Sequence, residues 1–135
     1  MSTPCPCGRG GAFGVLPYDR CCGPYLDDPM PPAPDAESLM RSRYTAFALG
    51  RPDYLLATWD DAHRPTQLDL DPGITWLGLD VLDRTEDGDR AEVEFTARFR
   101  TARRGGGEGD GALEQRLHER SRFARRGGRW FYLTG

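Results

Sequence analysis

The sequence predicts an α+β fold in which two helices precede a curved, four-stranded antiparallel sheet, with a small cysteine knuckle in front of them. Three observations carry this. All four cysteines of the 135-residue chain fall between Cys5 and Cys22. Helical periodicity is confined to the stretch from Asp35 to Trp59. From Ile74 onward apolar and polar residues alternate, and glycine turns cut the pattern. Helices that precede a run of strands, instead of alternating with them, pack together on one face of an antiparallel sheet.

The knuckle comes first. Cys5-Pro6-Cys7-Gly8-Arg9-Gly10-Gly11 and Tyr18-Asp19-Arg20-Cys21-Cys22-Gly23-Pro24-Tyr25 set two thiol pairs on either side of a loop. Four thiolates suit one tetrahedral ion. Zinc is the first choice, because it takes closed four-cysteine structural sites. Thiolate softness also admits iron or Cu(I). Disulfides are the competing reading, but pairing within Cys5/Cys7 or Cys21/Cys22 would form small strained rings. Redox-active or free thiols are a third. The N-terminus shows no basic start and no apolar run, which predicts a cytoplasmic, reducing setting. The tight C-x-C and Cys-Cys spacings require sharp turns, expected from Gly8, Gly10, Gly11 and Gly23.

Length and charge set further bounds. The chain is long enough for one core and too short for two full domains. No apolar run approaches a membrane span, so no membrane partner is expected. Every basic residue is arginine, and the net charge of −3 is unevenly spread. Residues 1–97 hold 8 Arg against 17 acids, while 98–135 hold 10 against 4.

In order, the knuckle occupies 1–28 and a proline-rich linker occupies 29–34, with Pro29, Pro31, Pro32 and Pro34 fixing an extended path. The α+β unit occupies 35–135. Asp35 reads as a helix N-cap, with Glu37 in the first turn. Ala36, Leu39, Met40, Tyr44, Phe47 and Ala48 form the apolar face, Arg41, Ser42 and Thr45 the polar one, and Gly50 the stop. Pro52 opens a second helix that packs through Tyr54, Leu55, Leu56 and Trp59. A polar connection follows, with one short turn around Gln67–Leu70. Strands are expected over Ile74–Asp83, Arg90–Arg103, Leu113–Arg125 and Arg129–Thr134. Their turns are Asp87-Gly88, a glycine-rich loop at Arg104–Gly111, and Gly127-Gly128.

Two resemblances sharpen this reading. Cys5-Pro6-Cys7-Gly8 with Cys21-Cys22-Gly23 resembles the SEC-C motif, a short zinc-binding knuckle. Arg9 stands where that motif has serine, and Ala12 to Pro17 lengthen the loop. The resemblance implies one structural zinc held by Cys5, Cys7, Cys21 and Cys22. The element order after it resembles the NTF2-like cone. Leu39-Met40-Arg41-Ser42-Arg43-Tyr44 with Ala46-Phe47, Asp53-Tyr54-Leu55 with Thr58-Trp59, Trp76-Leu77-Gly78-Leu79, Glu119-Arg120-Ser121-Arg122-Phe123, and Trp130 with Tyr132 resemble the bacterial YchJ family. That family joins a SEC-C-type knuckle to an NTF2-like domain, and the likeness spans nearly the whole chain.

Such cones often enclose a pocket, for which the candidate residues are Arg41, Arg43, Tyr44, Trp59, Trp76, Glu119 and Ser121. Glu119 is in phase with Leu117 and Phe123 and should point inward, where a carboxylate needs a partner. Arg41 or Arg43 could supply a structural ion pair, and a ligand site or catalysis are the alternatives. His63 and His118 read as surface residues, and no catalytic set can be assembled. Arg98, Arg100, Arg116, Arg120 and Arg122 share one strand face. They either bind phosphate backbone or are neutralised by Glu92, Glu94 and Glu114 across the strands. Two functions follow. One is a non-enzymatic adaptor whose knuckle contacts a protein, or RNA or the ribosome, with the cone as support or as a homodimer through its sheet. The other is a small-molecule binder or enzyme using the cone pocket. The knuckle is expected to fold on its metal independently of the cone.

Overall fold

The computed structural model of the chain describes residues 3–11, 14–27, 33–101 and 114–134. Most of the expected linker (29–32), the Arg104–Gly111 loop and Leu113 lie outside the described residues. At the front, Gly8 at φ 74° and Gly14 at φ 108° reverse the chain. They allow β1 (Gly10–Gly11) and β2 (Gly14–Val15) to pair as a short antiparallel ribbon, to which the sequence reading assigns no strand. A 3-10 turn at Tyr18–Arg20 and helix α1 (Gly23–Asp27) complete the knuckle.

Helix α2 (Ala36–Leu49) begins where the Ser38 N–H donates to the Asp35 carboxylate at 2.7 Å. It ends at Gly50, left-handed at φ 74°, with the Arg51 N–H returning to the Ala46 carbonyl at 2.8 Å. Its apolar face is buried as the periodicity predicts from Ala36 to Tyr44, with Phe47 and Ala48 half-buried at its end. Its polar face departs from expectation. Ser38 and Thr45 are buried too, because the knuckle packs on that side, and Ser42 is buried against the Tyr54 hydroxyl at 2.8 Å. Glu37, expected to serve the helix dipole, is likewise buried and bridges Arg41 to Arg84.

Helix α3 (Pro52–Ala57) carries proline in its first turn and buries Leu55 completely. The chain then bridges to the last strand, with the Asp60 N–H on the Tyr132 carbonyl at 2.8 Å and the Tyr132 N–H on the Thr58 carbonyl at 2.9 Å. The turn expected around Gln67–Leu70 does not form. Leu68 and Leu70 both pack against the core, a pairing that suits extended chain because residues two apart share a strand face.

The sheet is an antiparallel meander of β3 (Ile74–Asp87), β4 (Arg90–Thr101), β5 (Glu114–Arg126) and β6 (Arg129–Thr134), in that order. β3 runs past Asp83 to Asp87, because Arg84–Asp87 finds partners in Val93–Arg90, and the turn falls on Gly88-Asp89. Register shifts between Trp76 and Gly78 and between Val81 and Asp83 bend β3. Gly127 and Gly128, at φ 58° and 80°, form the two-residue turn joining β5 to β6.

Val93, Phe95, Ala97 and Phe123 form the inner face against α2. On the outer face Glu94 pairs with Arg120, Glu92 with Arg122, and Glu114 with Arg100. Arg120 reaches Glu92 at 2.5 Å, Glu94 at 3.1 Å and Asp83 at 3.2 Å. Cross-strand neutralisation therefore accounts for the centre of the arginine stripe. Among the described residues no helix is long and apolar enough to cross a membrane.

The N-cap gives a direct test. Asp35→Ala should destabilise the chain by about 1 kcal/mol in denaturant unfolding, and Asp35→Asn, which keeps the acceptor, by much less.

Candidate metal centre and cone pocket

The knuckle's turns deliver four thiols to one point. The Sγ atoms of Cys5, Cys7, Cys21 and Cys22 all lie within 4.8 Å of one another. Cys7 and Cys21 are 3.5 Å apart and Cys21 and Cys22 are 4.0 Å apart. These gaps are far longer than a disulfide bond of about 2.05 Å, and all four cysteines are free. A tetrahedral ion with metal–sulfur bonds of about 2.3 Å has sulfur–sulfur edges of about 3.8 Å, and the two observed gaps bracket that value. Three of the thiols are buried, and Cys21 is half-buried.

The proton balance also calls for a cation. Hydrogen bonds from Cys22 and Cys7 push the Cys5 thiol well below the ordinary range. Its hydrogen bonds to Cys5 and Cys7 push Cys22 far above it. Burial, then the charge on Cys7, pushes Cys21 up to about 12. Four thiols at this spacing cannot all ionise alone, whereas a bound dication lets every one bind as thiolate. The residues present therefore fit a metal ion.

Helix α2 holds this cluster from below. The Thr45 hydroxyl donates to Cys22 Sγ at 3.3 Å and lies 3.7 Å from Cys5 Sγ. Arg41 Nη1 donates to the Cys7 carbonyl at 3.1 Å, and its Nε donates to Glu37 at 2.8 Å. Arg9 donates to the Ser38 hydroxyl at 2.9 Å. Arg51 clasps Asp27 and the Leu26 carbonyl, at 2.9 and 2.8 Å. Cys5, Cys7, Cys22 and Leu26 belong to the same core as Leu39, Tyr44 and Leu55. The underside of the knuckle rests on the polar face of α2, within one continuous core.

Glycine matters here at Gly23. A Cβ on it would sit 2.8 Å from the Tyr18 carbonyl oxygen, so the Cys22–Gly23 step closes the knuckle only without a side chain.

On the other side of α2, a cavity of about 260 Å³ opens towards the sheet. Arg43, Tyr44, Trp59, Trp76, Glu119 and Ser121 line it. Arg41 does not, because it turns to the knuckle instead. The expected pairing of Glu119 with Arg41 or Arg43 is absent among the described residues. Glu119 accepts from the Ser121 hydroxyl at 2.7 Å. Arg43 is occupied elsewhere: Nη1 donates to the Leu55 carbonyl and the Thr58 hydroxyl, each at 2.7 Å. Its guanidinium carbon lies 4.4 Å from the Tyr132 ring centre and 5.2 Å from that of Trp59. Burial lowers the Arg43 guanidinium to about 10, which leaves it charged at neutral pH.

The sequence reading missed Met40, Phe47 and Tyr132 as wall residues. Helical spacing put Met40 and Phe47 on the inner face of α2, but nothing local marked Tyr132. His63 contacts Asp60 at 3.1 Å and His118 contacts Glu94 at 2.6 Å, both rings being exposed.

Comparison with known proteins places these features in a family. The family described as YchJ, middle NTF2-like domain, matches residues 35–135. A UPF0225 protein of Polaromonas naphthalenivorans is 54% identical, covering 100% of this chain and 98% of its own. A UPF0225 protein of Streptomyces coelicolor is 47% identical, covering 99% and 95%. The solution structure of a SEC-C motif containing protein from Rhodopseudomonas palustris superimposes with a TM-score of 0.78 at 41% identity, over 98% of this chain and 97% of that one. A crystal structure of a SEC-C motif containing protein from Psychrobacter arcticus gives 0.75 at 31% identity, over 97% and 80%.

Two outcomes follow from the shared core. Thr45→Val should cost about 1 kcal/mol in unfolding free energy and speed metal release to a chelator, because Cys22 loses its donor. Chelation should lower the thermal midpoint recorded by near-ultraviolet dichroism of Trp59, Trp76 and Trp130, although none lies in the knuckle. An unmoved tryptophan transition would contradict the coupling.

Proposed function

This chain belongs to the YchJ family of UPF0225 proteins, and from that premise we propose that it is a zinc-bound adaptor that contacts a protein partner through the outer face of its knuckle. Zinc is favoured because four thiolates leave no open coordination position, the arrangement of a structural ion. Such an ion supplies folding energy and shape, with no site for a substrate. The knuckle then has two faces. The inner one is spent on α2.

The observation that carries the reading is the outer face. Val15 is 50% exposed on the ribbon, and a cleft lined by Arg9, Arg20 and Cys21 opens on the same knuckle. An exposed apolar residue and a cleft with arginines on one metal-held knuckle suit a polar or acidic protein segment, with the apolar contact as anchor. The solved SEC-C motif relatives support a knuckle of that type in this chain. RNA is the weaker partner. The stripe's central arginine, Arg120, is already held by three carboxylates, and Thr96 and His118 face each other on that side of the sheet without stacking aromatics.

A photo-crosslinking residue at Val15, introduced in cells, tests this. The expected result is one discrete protein adduct that Arg20→Glu abolishes and Leu82→Ser, on the distant sheet, leaves in place. An adduct unchanged by Arg20→Glu, or one made to RNA, would overturn the reading.

A further inference from the structure

The cavity under α2 is a second candidate site, separate from the knuckle, and its chemistry is specific. Arg43 is a buried guanidinium, 6% exposed, with no carboxylate partner among the described residues. Buried charges are ordinarily paired, because an uncompensated one is costly. Here Nη1 is spent on the Leu55 carbonyl and the Thr58 hydroxyl. The Tyr132 ring covers one face of the group. No described residue accepts from the remaining edge, Nε with Nη2. That edge is one of the two forks by which a guanidinium takes both oxygens of a carboxylate.

Apart from Glu119 and Ser121, the rest of the wall is apolar or aromatic. Tyr44, Trp76, Phe95 and Phe123 surround the void, and small Ala97 leaves it open. Trp76 is itself fixed edge-on by Tyr44, with ring centres 5.7 Å apart, so the aromatic wall is formed before any ligand arrives. Pockets for drug-sized ligands run to about 300–1,000 Å³, so one of about 260 Å³ suits a ligand of roughly a dozen non-hydrogen atoms. Glu119 shares the wall. Its charge disfavours a dianion such as phosphate and tolerates a single carboxylate held at Arg43.

We propose that this pocket binds a small aromatic carboxylate, with the carboxylate on the Nε–Nη2 edge of Arg43 and the ring between Trp76 and the inner face of the sheet. This is a binding function beyond the adaptor role, and the metal site takes no part in it.

The test uses the full-length, metal-loaded protein with 2-naphthoate and its neutral isostere 2-naphthamide as probes. Binding is read by calorimetry and by the indole N–H resonances of the three tryptophans. The acid should bind saturably and shift Trp59 and Trp76 while leaving Trp130 in place. The amide should bind about tenfold to a hundredfold more weakly, as expected for losing a charge-assisted pair. Arg43→Met should erase that difference. Because Arg43 also holds the Leu55 carbonyl, that variant could fail to fold, so Leu117→Trp at the exposed rim serves beside it. It should block the acid while far-ultraviolet dichroism stays native. Equal affinity for acid and amide, no saturable binding of the acid at millimolar concentration, or undiminished binding in a folded Leu117→Trp would each overturn the proposal.

Discussion

Four thiols held within 4.8 Å of one another impose the constraint on which this structure depends. Left to themselves they compete for protons, and burial of Cys5, Cys7 and Cys22 denies them water. A cation at their centre would resolve the conflict by taking all four as thiolates. The protein adds what the cation does not supply. Thr45 and Arg41 bring donors to Cys22 Sγ and the Cys7 carbonyl. The cysteine cluster is therefore closed on one side by a helix that also forms the roof of the cone.

That shared helix explains the composition of α2. A helix covering one core needs a single apolar stripe. α2 is buried on two sides, and its second side is polar: Ser38, Arg41 and Thr45 meet Arg9, the Cys7 carbonyl and Cys22 Sγ. Its first side is apolar except for Arg43. That residue is the cone's one concession to charge on the helix's inner face, offset by two neutral acceptors and two aromatic rings. The cysteine cluster and the pocket thus stand on opposite faces of one element.

The elements themselves were legible in the sequence because local chemistry specifies them. Asp35 and Gly50 bound α2 through a cap and a left-handed residue. Gly127-Gly128 set the last turn. The cysteine spacing marked the ligand cluster before any coordinates. What could not be read depends on surfaces brought together from afar. The polar face of α2 looked like a solvent face, since pattern alone cannot show that a second segment covers it. Glu119 is in phase with the interior and Arg43 one of its two candidate partners, but phase gives a face and not a partner. Tyr132, remote in sequence, took Arg43 instead. The short ribbon Gly10–Gly11 with Gly14–Val15 escaped because glycine carries no strand signal.

Metal content of freshly purified, untagged, reduced protein, by elemental analysis, tests the central claim most directly. The account predicts about one zinc per chain, lost when Cys5 and Cys22 are both replaced by serine. A metal-free protein with four titratable thiols and an unaltered fold would contradict it.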